Sequence, residues 1–96
     1  MDIKYLSDEA KKIWGEENLS LAQIIVRLGK VYGDICRWER NAKKDVHLHT
    51  DDELMKEFGN LIFTTIKFAQ ELGYDPEECI ERAIEAQRKY VAEKNE

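Results

Sequence analysis

The stretch Ser20-Leu21-Ala22-Gln23-Ile24-Ile25-Val26-Arg27-Leu28-Gly29-Lys30-Val31-Tyr32-Gly33-Asp34-Ile35-Cys36-Arg37-Trp38 decides the fold class. Its apolar residues Leu21, Ile24, Ile25, Leu28, Val31, Tyr32, Ile35 and Trp38 recur at steps of three and four. On an α-helix that spacing draws one continuous stripe. Isoleucine and valine also suit a strand, but a strand buried on one face alternates by two, and this stretch does not. Ser20 stands where a helix needs an acceptor for its first free N–H groups. The helix is expected to fade between Ala42 and Lys44, where Lys43 and Lys44 suit the negative end of the helix dipole.

The same logic extends outward. Thr50-Asp51-Asp52-Glu53 has the form of a capping box, in which hydroxyl and carboxylate satisfy each other's backbone N–H groups. Beyond it Leu54, Phe58, Leu61, Ile62, Thr65, Phe68, Ala69 and Leu72 fall on one side of a third helical segment. Gly73 is placed to close that helix in a left-handed conformation. Asp75-Pro76-Glu77-Glu78 then opens a fourth, with Asp75 as cap, Pro76 at the first position and Glu78 completing a second box. Its inner face reads Ile80, Ala83, Ile84, Gln87 and Val91. Upstream, Ser7-Asp8-Glu9 signals a short helix from Asp8 to about Trp14, ended by Gly15. Lys44 to Thr50 is a connection, and Glu93 to Glu96 are expected to fray.

The expected fold is therefore all-α: a helical bundle of two long helices, one medium C-terminal helix and one short N-terminal helix, in a single domain spanning 1–96. At 96 residues the chain buries only about 60–65% of its extended surface, so its core is thin. Two broad apolar stripes on the long helices need more neighbours than this chain supplies. A homodimer, or a dimer of dimers, completes such a core in the commonest way.

Net charge is −5, and the 15 basic residues are interleaved with 20 acids. A nucleic-acid duplex or an anionic membrane surface is a poor partner for that balance. No apolar run approaches the roughly 20 residues of a membrane span. Cys36 and Cys79 stand far apart and no leader pattern precedes them, so they read as small apolar fillers of a cytoplasmic protein rather than a disulfide.

Two polar rows border the stripes. Lys30, Asp34 and Arg37 share one face of the second segment, and Glu57, Asn60, Thr64 and Lys67 share one face of the third. An antiparallel packing turns both rows toward a common cleft, the way a bundle builds a cation or phosphate site. As plain solvated faces they would carry no site at all. Glu39, Asp51, Asp52 and Glu53 lie near the ends of the same two helices and could supplement such a site in part, although Asp51, Asp52 and Glu53 have a sufficient local reason as first-turn acids.

His47 and His49 would point the same way in an extended connection and seat a transition metal, or stand as surface histidines. Trp14 and Trp38 both invite a base-stacking reading, but Trp38 continues the apolar stripe, which suits a core or interface ring. Trp14, on the short first helix, is a candidate stacking platform at the mouth of the cleft.

In this arrangement the chain resembles the MazG-like all-α nucleoside triphosphate pyrophosphohydrolases, over about Ser20 to Tyr90. The resemblance is carried by Glu57-Phe58-Gly59-Asn60-Leu61-Ile62, by Leu72-Gly73-Tyr74-Asp75-Pro76-Glu77-Glu78 and by Arg88-Lys89-Tyr90. In that family one helix bears E-E-x-x-E and the next E-x-x-D. Their carboxylates hold Mg²⁺ (or Mn²⁺), which orients a triphosphate for attack between its α and β phosphates. The resemblance implies Asp34 and Glu57 as catalytic metal ligands with Asn60 as a third. It implies Lys30, Arg37, Lys67 and Trp14 as substrate contacts.

The chain departs from that pattern where the ligands belong. Lys30 and Val31 occupy the positions of the two leading glutamates, and Asn60 that of the aspartate. Mg²⁺ wants anionic oxygens in octahedral order, and a lysine, a valine and an amide each weaken such a site. Lys30 is expected to neutralise Asp34 and Glu57 in place of the ion. Two functions follow: a hydrolase converting nucleoside triphosphates to monophosphate and pyrophosphate, or a non-catalytic helical dimer that binds nucleotide or protein.

Overall fold

The computed structural model describes residues 1–95 as four α-helices, with no strand among them. They are α1 (Ile3–Trp14), α2 (Leu21–Arg40), α3 (Asp51–Glu71) and α4 (Pro76–Lys94). The all-α bundle expected from the sequence is what the chain forms.

Each helix starts at a capping side chain. The Ser20 hydroxyl accepts from Gln23 N–H while the Gln23 side chain accepts from Ser20 N–H, a complete capping box. Thr50 accepts from Glu53 N–H. Asp75 accepts from Glu77 N–H, and Pro76 opens α4 as expected, without the reciprocal bond from Glu78. The first helix differs from expectation. Asp2, not Ser7, caps it, accepting from Tyr5 N–H, so α1 begins five residues earlier than the Ser7-Asp8-Glu9 signal. An aspartate one residue into the chain can cap as well as a serine, and Ser7 has other employment: its hydroxyl accepts from Gln70 in α3. Gly15 and Gly73, at φ +70° and +82°, follow α1 and α3 in the left-handed region that glycine tolerates. The connection after α2 is a turn followed by a short 3₁₀ segment, Val46–Leu48, rather than extended chain.

Helices α2 and α3 form an antiparallel hairpin. At one end the Trp38 indole N–H donates to the Thr50 carbonyl at 2.9 Å; at the other, Leu19 N–H donates to Glu71 at 3.3 Å. Helix α1 runs along the C-terminal half of α3, with Ser7 beside Gln70 and Trp14 against Phe63. The core these three helices enclose is small: among the described residues its buried apolar side chains are Ala10, Ile24, Val31, Ile66 and Phe68. Thr64 and Lys67, assigned to a polar row by spacing, are buried with them.

Helix α4 departs most from expectation. It is 19 residues long, nearly the length of α2 and α3, and only Pro76 at its start is buried. Ile80, Ala83, Ile84, Gln87 and Val91, the expected inner face, are all exposed. The helix stands away from the bundle, and the radius of gyration is 16.2 Å against about 13 Å for a compact chain of this length.

A second apolar surface is bare as well. On α2, Leu21, Ile25 and Tyr32 are exposed, and on α3, Met55, Phe58 and Ile62. Residues advance about 100° around a helix, so Leu21, Ile25 and Tyr32 lie to one side of the Ile24–Val31 line that faces α3. By the same phasing Phe58 and Ile62 lie on that side of the hairpin, away from α1.

Candidate functional site

The antiparallel hairpin brings Asp34 of α2 and Glu57 of α3 to one hollow of about 120 Å³, together with Arg37, Trp38, Asn41, Leu48 and Glu53. The Asp34 and Glu57 side chains are 22% and 16% exposed, so both are largely covered yet open to the hollow. Sequence spacing anticipates Asp34, Arg37 and Glu57 here. Trp38, read from the sequence as stripe or stacking ring, and Glu53, read as a first-turn acid or a supplementary carboxylate, join them. Glu53 lies one helical turn before Glu57, and that i,i+4 step puts both on one face of α3.

Every carboxylate lining the hollow already has a basic partner. Arg37 donates a short hydrogen bond to Asp34 across one turn of α2. Lys56 lies 2.9 Å from Glu53 and 3.6 Å from Glu57. The Glu53 hydrogen bond, reinforced by its charge and that of Glu57, holds the Lys56 ammonium above its ordinary pKa. The neutralising bases are thus Arg37 and Lys56, not Lys30. Lys30 is exposed and makes no ion pair among the described residues. Its one-step offset from the α2–α3 seam turns it outward.

The remaining expected site residues lie elsewhere. Asn60 is half-buried outside the hollow's lining, its backbone carbonyl accepting from the Thr64 hydroxyl. Lys67 is 5% exposed and sits 2.8 Å from Glu17, in the α1–α2 connection, and 3.4 Å from Glu71. Trp14 packs with its ring centre 5.4 Å from that of Phe63 and 5.4 Å from the Lys67 ammonium. Both stand about two turns or more along α3 from Glu57, roughly 9–15 Å by helix rise. Glu17 is held below the ordinary carboxylate pKa, first by the Lys67 hydrogen bond, against the opposing effect of its partial burial. The pair therefore ties α3 to the α1–α2 connection. His49 stacks on Trp38 with ring centres 3.7 Å apart, while His47 is exposed, so the 3₁₀ segment gives the two imidazoles different surroundings.

Mg²⁺ fits this arrangement poorly. Among the described residues no group of three or more Asp, Glu, His or Cys side chains is gathered so that it could hold a metal ion. The carboxylates of the hollow are compensated, and its volume is well below the roughly 300–1,000 Å³ of sites that take small organic ligands. It has room for a few waters or one phosphate-sized group.

Comparison with protein-family models, with curated proteins and with solved structures finds no match for this chain.

Proposed function

We propose that this chain is a non-catalytic, MazG-like helical module that works as an oligomer and offers its surface to a protein or nucleotide partner. One observation carries the reading: the apolar rows of α2, α3 and α4 are uncovered in the single chain. Leu21, Ile25, Tyr32, Phe58 and Ile62 make one bare side of the hairpin, and Ile80, Ile84 and Val91 another on α4. Scattered surface leucines are ordinary, but contiguous apolar sides on so small a chain mark an interaction surface. Sedimentation velocity at micromolar concentration tests it. A dimer or larger species is expected; a monomer throughout removes the reading.

A second reading is favoured by the meeting of Asp34 and Glu57 across one hollow. These are the positions the family resemblance assigns to catalysis, and the reaction would be hydrolysis of a nucleoside triphosphate to monophosphate and pyrophosphate. Arg37 is the base at hand for a phosphate, whereas Lys67 and Trp14 support the reading less, since they lie along α3 from the hollow. Incubation with a panel of ordinary and modified triphosphates, with Mg²⁺ or Mn²⁺, is the test. Pyrophosphate release supports hydrolysis; no turnover with any of them removes it.

A further inference from the structure

Helix α4 is exposed along its whole length after Pro76, and its charges are sorted. From Pro76 to Ala86 it carries Glu77, Glu78, Glu81 and Glu85 against Arg82 alone. From Gln87 to Asn95 it carries Arg88, Lys89 and Lys94 against Glu93 alone. Arg82 is engaged with Glu78 at 2.9 Å. Glu77, Glu81, Glu85, Arg88, Lys89 and Lys94 make no ion pair among the described residues.

Between these charges runs a narrow apolar seam. Ile80, Ile84, Gln87 and Val91 follow one another at steps of four, three and four, the spacing of a two-helix seam. Ile80, Ile84 and Val91 are 43%, 46% and 52% exposed, so the seam is uncovered.

We propose that α4 is covered by the α4 of a second copy, packed antiparallel about a two-fold axis between Ile84 and Gln87. This rests on the self-association proposed above and names its surface. In that register Ile80 meets the partner's Val91, and Ile84 meets the partner's Gln87. At the seam's edge Glu81 faces the partner's Arg88, and at its ends Glu77 faces the partner's Lys94. The two-fold axis repeats each pair, so one helix supplies both halves of its own complement. A parallel pairing would set the acidic half against the acidic half, and the charge pattern selects against it.

The experiment compares the full chain with Glu81→Arg, Arg88→Glu and the double variant in sedimentation equilibrium at low salt. Both residues are exposed and unpaired in the single chain, and circular dichroism checks that the helices persist. Each single reversal is expected to weaken association by about tenfold, because it turns two symmetry-related attractions into repulsions. The double reversal is expected to restore it. If the wild type associates but the single reversals leave it unchanged, or the double reversal fails to restore it, α4 is not the contact and this proposal falls alone. Dissociation by Ile25→Asp without any effect of the reversals assigns the contact to the α2–α3 side, and the α4 pairing falls in that case too. A monomeric wild type removes both this inference and the reading it rests on.

Discussion

The Lys67 ammonium in α3 lies 2.8 Å from the Glu17 carboxylate, fifty positions away in the chain, and joins the hairpin to the α1–α2 connection. Lys67 is 5% exposed and also meets Glu71 at 3.4 Å, with the Trp14 ring on another side. Lys67→Met keeps the aliphatic packing but leaves Glu71 without its base and Glu17 with Arg27 alone, 3.1 Å away. The expected loss is about 1 kcal/mol in urea unfolding, the cost of a lost hydrogen bond rather than of an orphaned group, because Arg27 still meets Glu17 and Leu19 N–H still donates to Glu71. An unchanged midpoint would show that solvent satisfies both acids.

Glu17 gives that pair a pH signature. Its carboxyl is held below the ordinary value of 4.5, chiefly by the hydrogen bond from Lys67. The unfolded chain then takes up the proton first as pH falls. The contribution is fully present above pH 4.5 and is lost as pH drops through the lower folded value. Glu17→Gln is expected to lie below wild type at neutral pH and to converge with it in acid. Melting temperatures from neutral to strongly acidic pH read the convergence; parallel curves would show that Glu17 titrates alike in both states.

Two glycines separate backbone strain from space. A Cβ on either Gly33 or Gly73 would meet nothing within 4 Å, but only Gly73 has a positive φ, +82°. Gly33→Ala, inside α2, is expected to stabilise by about 0.5–1 kcal/mol. Gly73→Ala is expected to destabilise by about 1 kcal/mol, the cost of holding a side chain in the left-handed region. Thermal unfolding of the two variants checks the opposite signs.

Trp38 clasps the connected end of the hairpin. Its indole N–H donates to the Thr50 carbonyl, which also accepts from Leu54 N–H at 3.1 Å, so Trp38→Phe leaves that oxygen with one partner. A loss of about 1 kcal/mol is expected rather than the larger penalty of an orphaned acceptor. The remaining Trp14 fluorescence then reports unfolding of α1 and α3 alone.

How far the sequence foretells this molecule differs by element. Ser20, Thr50 and Asp75 are local signals, each satisfied within three residues, so the starts of α2, α3 and α4 are legible. Asp2 is hidden by Ser7, which offers a second plausible cap. Lys67 and Thr64 lie in the core, Lys67 because Trp14 and Glu17 fold over that part of α3, and a helical wheel cannot show which face a distant segment will cover. Their polar atoms find partners in Glu17, Glu71 and the Asn60 carbonyl, so burial costs little. The seam of α4 is legible as apolar; that nothing in its own chain covers it is not, because amphipathicity states a need and not its supplier. At the hollow, Asp34, Arg37 and Glu57 follow from spacing. Lys56 does not, because it sits off both the apolar stripe and the polar row, and its long side chain reaches back to Glu53 and across to its neighbour Glu57.

Arg37 and Lys56 neutralise the carboxylates of the hollow, which makes that compensation testable. In wild type, Asp34 is bound to Arg37, and Glu53 and Glu57 to Lys56. Millimolar Mg²⁺ must displace those bases before it meets a free carboxylate, and the wild-type melting temperature is expected to stay where it is. The double variant Arg37→Ala/Lys56→Ala leaves three carboxylates around one small hollow with no base among them. Their mutual repulsion should lower stability, and because the three carboxylates are not gathered as a metal ion needs, Mg²⁺ or Mn²⁺ is expected to leave that lower melting temperature where it is. A clear Mg²⁺ shift in the wild type would mean that the bases yield to the ion, and would move the balance toward hydrolysis. A shift confined to the double variant would mean that removing the two bases is enough to draw Asp34, Glu53 and Glu57 around one cation.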